Sequence, residues 1–190
     1  MKFFKGSKKD RATFWIFLIS VVALACVVVA YATSMQYKVA LPLVNPRLSK
    51  DAMIKNQVQT AVSVLDGVYK KVQAKKITLA QAKIEGANLL RDMRYDEGRG
   101  YFWADTAEGL NVVLAGDKAV EGKNRLAATS HGVEYVKQMI AKGQAAGGGY
   151  TEYYYPKLGE AAAKQKRSYT LLYKPFNWVI GTGYYLEDLK

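Results

Sequence analysis

Cysteine is nearly absent from this chain of 190 residues. The only one, Cys26, lies in an apolar run, so no disulfide can form within residues 38–190 and their core must hold itself together. Histidine is equally scarce. His131 stands alone, and a histidine-based metal site or catalytic triad would lack its partners. Ser130-His131-Gly132 reads instead as a loop that starts a helix. Gly147-Gly148-Gly149 follows a helix and lacks the Lys-Ser/Thr of a phosphate-binding loop. No nucleophile–base pair can be named, and no internal repeat or low-complexity tract is visible. These absences argue against an enzyme, and no cofactor is implied.

Charge is missing altogether between Ala12 and Tyr37. Within that stretch FWIFLISVVALACVVVAYA is nearly all apolar and long enough to cross a bilayer as a helix. Lys2, Lys5, Lys8, Lys9 and Arg11 precede it, offset only by Asp10. The positive-inside tendency places that end in the cytoplasm and residues 38–190 outside it. A cleavable signal peptide with Ala30-Tyr31-Ala32 as its cleavage site is the competing reading, although signal cores are shorter, roughly 7–15 residues. The expected organisation is a basic cytoplasmic N-terminus over residues 1–11, one transmembrane helix over 12–37, and an exported domain over 38–190.

That exported segment carries 23 Lys+Arg and 15 Asp+Glu, a net +8. Its basic residues are scattered singly instead of clustered, and the location is wrong for nucleic acid, so no nucleic-acid partner is expected. A plain solvated surface, or attraction to small anions or anionic lipid, accounts for the charge.

Leu41-Pro42 and Asn45-Pro46 mark a kink or a helix restart. Beyond them, Ile54, Val58, Ala61, Leu65, Val68 and Val72 recur at helical spacing, predicting a long amphipathic helix over about Arg47 to Ala74. Thr78 with Gln81 forms a capping-box pattern for a second helix. Gly98 and Gly100 break the helical period. Tyr101 to Ala104 and Leu110 to Leu114 then read as a hairpin around a turn at Asp105–Gly109. Val133 to Ile140 predicts a third helix, and Tyr150 to Tyr155 a strand. Pro156 to Gln165 reads as a long polar turn. Ser168 to Tyr173 and Trp178 to Tyr185 form a closing hairpin broken at Lys174-Pro175 and Asn177. Gly181 and Gly183 inside its second strand predict a bulge or a close backbone approach. The fold class is α+β with a mainly antiparallel sheet.

Tyrosine and tryptophan crowd these strands. Most serve core packing and sheet surface, yet so many polar-ended rings also suit a small cavity with aromatic walls and a few aimed donors. Alternation puts Tyr101 and Trp103 on one strand face, Phe102 on the other, and Tyr153 with Tyr155 on one face. Lys166 and Arg167 begin a strand next to this cluster, and Arg94 ends the helix before it. Cations facing aromatic walls suit a carboxylate, while a surface salt bridge explains any one of them taken singly. The candidate ligand-binding residues are Tyr101, Trp103, Tyr153 and Lys166, with Arg94 and Tyr169; no catalytic or metal-binding residue is assigned.

Several of these segments together resemble the single-Cache extracellular sensor domains, second type, of methyl-accepting chemotaxis receptors. Met93-Arg94-Tyr95 resembles that family's L-R-Y element, and Gly100-Tyr101-Phe102-Trp103 with Asp105 its G-Y-F-x-x-x-D strand. Glu121-Gly122-Lys123-Asn124 matches the G-K-N loop, and Gly149 to Tyr153 the G-x-x-x-Y strand. Lys166-x-Ser168-Tyr169, Trp178 to Tyr184 and Asp188 match the closing hairpin. The resemblance spans about residues 50–189. It implies a long N-terminal helix, a PAS-like antiparallel sheet, and a pocket over the sheet for a small carboxylate such as acetate, propionate, pyruvate or lactate. It also implies a homodimer and a membrane-anchored, single-pass sensor in a bacterial inner membrane, its C-terminal domain periplasmic or extracellular, feeding chemotaxis or other signal transduction.

Two positions depart from the pattern. Ala115-Gly116 stands where the family often has a His-Pro pair whose histidine holds the ligand, and Thr129-Ser130-His131-Gly132 replaces D-x-x-G. Chemoreceptors also continue from the place of Lys190 into a second membrane helix and an output module; the sequence fits either a piece of such a receptor or an anchored sensor domain. The alternative function is a Cache-fold structural or interaction protein without a small-molecule ligand.

Overall fold

The computed structural model describes residues 8–40 and 45–189, with the side chains of 10, 11 and 36–40 left aside. The chain divides into two units at Asn45/Pro46. Among the described residues the first holds one helix, α1 (Lys8–Ala40). Its stretch Ala12–Met35 is long and apolar enough to cross a membrane, and every side chain in it is exposed within the unit. Lys2, Lys5 and the expected break at Leu41-Pro42 lie outside the described residues.

Among its described residues the second unit has three α-helices and seven strands. Pro46 opens α2 (Pro46–Gln73) at the first helical position, where the missing N–H is unneeded and the fixed φ suits the helix. α3 (Leu79–Asp92) starts at the expected capping box. The Gln81 amide donates to Thr78 Oγ1 at 3.2 Å, and the Thr78 amide donates to Gln81 Oε1 at 2.8 Å. β1 (Arg94–Tyr95) and β2 (Gly100–Tyr101) make a small antiparallel pair that periodicity did not predict, because each spans two residues. β3 (Trp103–Thr106), β4 (Asn111–Leu114), β5 (Gly149–Pro156), β6 (Ala163–Tyr173) and β7 (Trp178–Tyr185) form one antiparallel sheet in the order β4-β3-β7-β6-β5. The third helix of this unit, α4 (Tyr135–Gln144), lies between β4 and β5 in sequence.

The expected turn at Pro156–Gln165 is shorter in the structure, since β6 already begins at Ala163 and Lys166 is its fourth residue. The two strand glycines mark close approaches, not bulges: β6 and β7 pair without a register shift. A Cβ at Gly181 would meet Trp103 Cζ2 at 2.5 Å, and one at Gly183 would meet Ser168 Oγ at 2.3 Å. The register shift falls in the β3–β4 pair instead, between Ala104 and Asp105.

Both faces of the sheet are covered. On one, Ile54, Val58, Ala61 and Leu65 of α2 and Leu90 of α3, each fully buried, pack with Phe102, Ala104, Trp178 and Ile180. The apolar stripe of α2 thus packs on the sheet, and its outward positions, including Lys55, Asn56, Gln59, Ser63 and Asp66, are polar and exposed. On the other face, Tyr135, Val136, Met139 and Ile140 of α4 pack over Tyr101, Trp103, Leu114, Tyr153 and Val179. Strand alternation thus delivers Tyr101 and Trp103 to the α4 side and Phe102 to the α2 side.

Candidate functional site

The α4 face encloses a small cavity. Tyr101 of β2, Trp103 of β3 and Leu114 of β4 form one wall. Tyr153 and Tyr155, two apart on β5, form another. Tyr135 and Met139, four apart on α4, cover it, and Arg125 and Lys166 complete the lining. The Tyr135 and Tyr153 rings stack at 4.9 Å with planes 4° apart. The open space is only about 10 Å³, roughly one water. Tyr101 and Tyr155 also line an outer cleft of about 180 Å³ beside Gly116, Asp117 and residues 156–160. Tyr101 and Tyr155 thus line both the inner cavity and the outer cleft.

Lys166 dominates the chemistry. It is 1% exposed. Its Nζ donates to Tyr101 Oη at 2.8 Å and lies 4.3 Å from the Tyr101 ring centroid, 5.1 Å from Trp103, 5.0 Å from Tyr185 and 5.6 Å from Tyr155. No carboxylate among the described residues pairs with it. Burial, with the positive charge of Arg125 added, brings its pKa down to about 7. Ring faces pull the other way by stabilising an ammonium, but a charge so enclosed is costly without a counter-ion. The phenols stay protonated: burial raises Tyr101 and Tyr153 above the ordinary tyrosine value. Tyr153 Oη pairs with Ser168 Oγ at 3.0 Å. Tyr185 donates to the Pro156 carbonyl at 2.5 Å.

The second cation is held differently. Arg125 is 9% exposed, and one terminal nitrogen of its guanidinium pairs with Asp105 Oδ2 at 3.1 Å. Asn111 donates to Asp105 Oδ1 at 2.8 Å. Burial pushes the Asp105 carboxyl up, opposed by these two partners. The Nε–H of Arg125 is buried without a hydrogen-bond partner.

Of the six residues singled out in the sequence, the structure brings Tyr101, Trp103, Tyr153 and Lys166 around this one cavity. It places Arg94 and Tyr169 elsewhere. Arg94 is exposed and donates to the backbone carbonyls of Arg91 at 2.7 Å and Met93 at 2.8 Å. Tyr169 projects from the opposite face of β6, against Tyr150 at 5.0 Å, with its hydroxyl on the Gly147 carbonyl. Sequence reasoning missed Arg125, which lies in an irregular segment without periodicity, and Tyr135, which sits among the apolar residues of a helix.

Comparison with known proteins agrees with this architecture. The chain is 27% identical over 143 residues to the methyl-accepting chemotaxis protein McpP of Pseudomonas putida, covering 75% of this chain and 26% of that protein. It is 30% identical over 142 residues to the sensor histidine kinase MctS of Rhizobium johnstonii, covering 74% of this chain and 30% of that protein. It therefore spans less than a third of either relative. A solved structure described as "Structural basis for carboxylic acid recognition by a Cache chemosensory domain" superposes with a TM-score of 0.70 at 24% identity, over 74% of this chain and 95% of that one; at that identity the likeness establishes the fold. The family model for "Single Cache domain 2" matches residues 47–190, the same stretch that carries α2, the sheet and the enclosed lysine. By that match the chain belongs to the single Cache domain 2 family, the sensor domains found in chemotaxis receptors and sensor histidine kinases.

Proposed function

We propose that this chain is a membrane-anchored extracytoplasmic sensor whose Cache domain binds a small organic acid at Lys166, as the input module of chemotaxis or another signal pathway. Residues 1–11 would lie in the cytoplasm, 12–37 would span the inner membrane once, and 38–190 would face the periplasm or exterior. The observation that carries the ligand reading is a fully enclosed ammonium without a counter-ion. A carboxylate entering past Tyr101 and Tyr155 would supply the missing charge. Trp103, Leu114 and Met139 would take its short carbon chain, and Tyr153 lies beside it as a further hydroxyl. The carboxylic acid named for the solved Cache neighbour supports this chemistry.

A cavity with room for about one water favours the rival reading, a Cache-fold interaction protein that needs no ligand. A thermal-shift screen of the full-length chain in detergent separates the two. Acetate, propionate, pyruvate or lactate should raise the midpoint in a concentration-dependent way by mass action, and the neutral amides of the same acids should not. If no acid shifts the midpoint, the ligand reading fails. A homodimer belongs to this reading as well, and sedimentation of the detergent-solubilised chain as monomer alone would remove it.

A further inference from the structure

We infer that residues 157–162 form a lid over the outer cleft, held closed by an ionic clasp from Lys157 to Glu187 and Asp188, and that release of this clasp admits a ligand. Only the admission step rests on the reading of Lys166 as a carboxylate partner. The lid and its clasp stand on their own contacts.

The lid joins β5 to β6, which stay paired up to Pro156 and Ala163. Its tip reaches over Tyr101, the ring that lines both the cleft and the inner cavity. A Cβ at Gly116 would meet Leu158 Cδ2 at 2.9 Å and Tyr101 Cζ at 3.2 Å. Leu158 therefore fills the space that a side chain at position 116 would take, and the Ala115-Gly116 departure is what lets the lid lie there. Little else ties its tip down. Leu158, Gly159, Glu160, Ala161 and Ala162 are all exposed. A segment that buries so little opens at low free-energy cost.

The clasp supplies the holding contact. Lys157 Nζ lies 2.8 Å from Glu187 Oε1, 2.8 Å from Asp188 Oδ1 and 5.3 Å from the centroid of the Tyr185 ring. Both carboxylates sit on the helical turn Leu186–Asp188 that follows β7. A single exposed ion pair contributes little, whereas one ammonium shared by two carboxylates is a small network. That strength suits a gate, because it favours closure and yields without disturbing the core. Tyr185 joins the lid to the enclosed cation. Its hydroxyl donates to the Pro156 carbonyl at the base of the lid at 2.5 Å, and its ring centroid is 5.0 Å from Lys166 Nζ.

The test has two arms, both on the full-length chain in detergent. The first needs no ligand. Spin labels on Glu160→Cys in the lid and Lys55→Cys on the exposed face of α2, with Cys26→Ser, report the distance between them by double electron–electron resonance. Labelled chain is diluted with unlabelled chain so that only distances within one chain are read. Glu187→Gln with Asp188→Asn should raise the population at longer distance at least about threefold. Lys157→Gln should do the same from the other side, and so should salt raised to about 0.5 M. Lys164→Gln, which removes only the 3.4 Å contact to Glu187, should leave the distances as they are. Distances that none of these changes moves overturn the lid, and a shift as large in Lys164→Gln overturns Lys157 as its clasp. The second arm follows tryptophan fluorescence on rapid mixing with propionate. Removing both clasp carboxylates should raise the association and dissociation rates together by about threefold, with affinity changed less than about twofold. Rates that stay the same while the lid opens overturn the admission step. If propionate does not bind the unsubstituted chain, the Lys166 reading and the admission step fall together, and the label distances still decide the lid.

Discussion

Lys166 and Arg167 are neighbours in sequence and opposites in environment. Strand alternation sends them to opposite faces of β6. On the α2 side, Arg167 is fully matched. Its guanidinium donates to Asp51 at 2.8 and 2.9 Å and to Glu152 at 2.8 Å, with Tyr150 4.6 Å from its centre. Tyr184 donates to Asp51 at 2.9 Å, and Arg47 adds a contact to Glu152. On the α4 side, Lys166 meets four aromatic rings and one phenol, with no carboxylate. A cation that serves the fold brings its counter-ion from the chain. On the proposed reading, Lys166 leaves that place for the carboxylate of a ligand. The difference is physical, and substitutions on the two sides should have opposite consequences.

The largest effect is expected on the matched side. Asp51→Ala leaves Arg167 with Glu152 alone and strips Tyr184 of its acceptor. Loss of roughly 3 kcal/mol is expected for breaking such a pair, which in a domain of this size lowers the midpoint by about 10 °C. Thermal unfolding should show this with affinity for the acid nearly unchanged in the protein that remains folded. A midpoint within a degree or two of the unsubstituted chain would mean that Arg167 is as poorly matched as Lys166, and the contrast between the two sides would collapse.

Proton linkage sharpens the contrast. The Lys166 pKa is lowered from the ordinary lysine value to about 7. Between pH 7 and the ordinary lysine pKa, the unfolded chain binds a proton that the folded ligand-free domain does not. From this group, then, the stability of the ligand-free domain rises with pH across that window and is flat below it. Ligand affinity runs the other way. A carboxylate needs the charged lysine, so affinity should be level below pH 7 and fall by up to about tenfold per unit above it. Calorimetry from pH 6 to pH 9 checks this. An affinity independent of pH across that range would exclude Lys166 as the titrating partner.

A smaller effect belongs to Tyr101→Phe. This removes the phenol that accepts from Lys166, but keeps the ring near the ammonium. A loss of about 1 kcal/mol, or roughly fivefold in affinity, is expected. A hundredfold loss in titration would instead make the phenol a direct ligand of the acid.

Much of this was legible in the sequence because it rests on periodicity. The α2 stripe at Ile54, Val58, Ala61 and Leu65, the Thr78–Gln81 cap, and the separation of Tyr101 and Trp103 from Phe102 all follow from repeat lengths that local chain geometry imposes. Tyr169 could have been set aside on the same ground. It lies three residues from Lys166 along a strand, and so on the other face. Arg94 was harder: nothing in the sequence says that its guanidinium turns back onto the Arg91 and Met93 carbonyls. Arg125 was invisible, because residues 115–134 contain no sustained period and its place is set by long-range contact with Asp105. The cavity itself depends on how α4 settles on the sheet, which no local pattern encodes.

The most direct measurement is a paired one on Lys166→Met in the full-length chain: thermal midpoint without ligand, and affinity for the best acid by calorimetry. Methionine keeps the flexible stem and removes the charge. Replacing an enclosed, unpaired ammonium by an apolar group of similar length should raise the ligand-free midpoint, more at pH 6 than at pH 9, while acid binding falls at least about tenfold. A midpoint that drops together with unchanged affinity would show that Lys166 serves the fold and that no carboxylate is bound there.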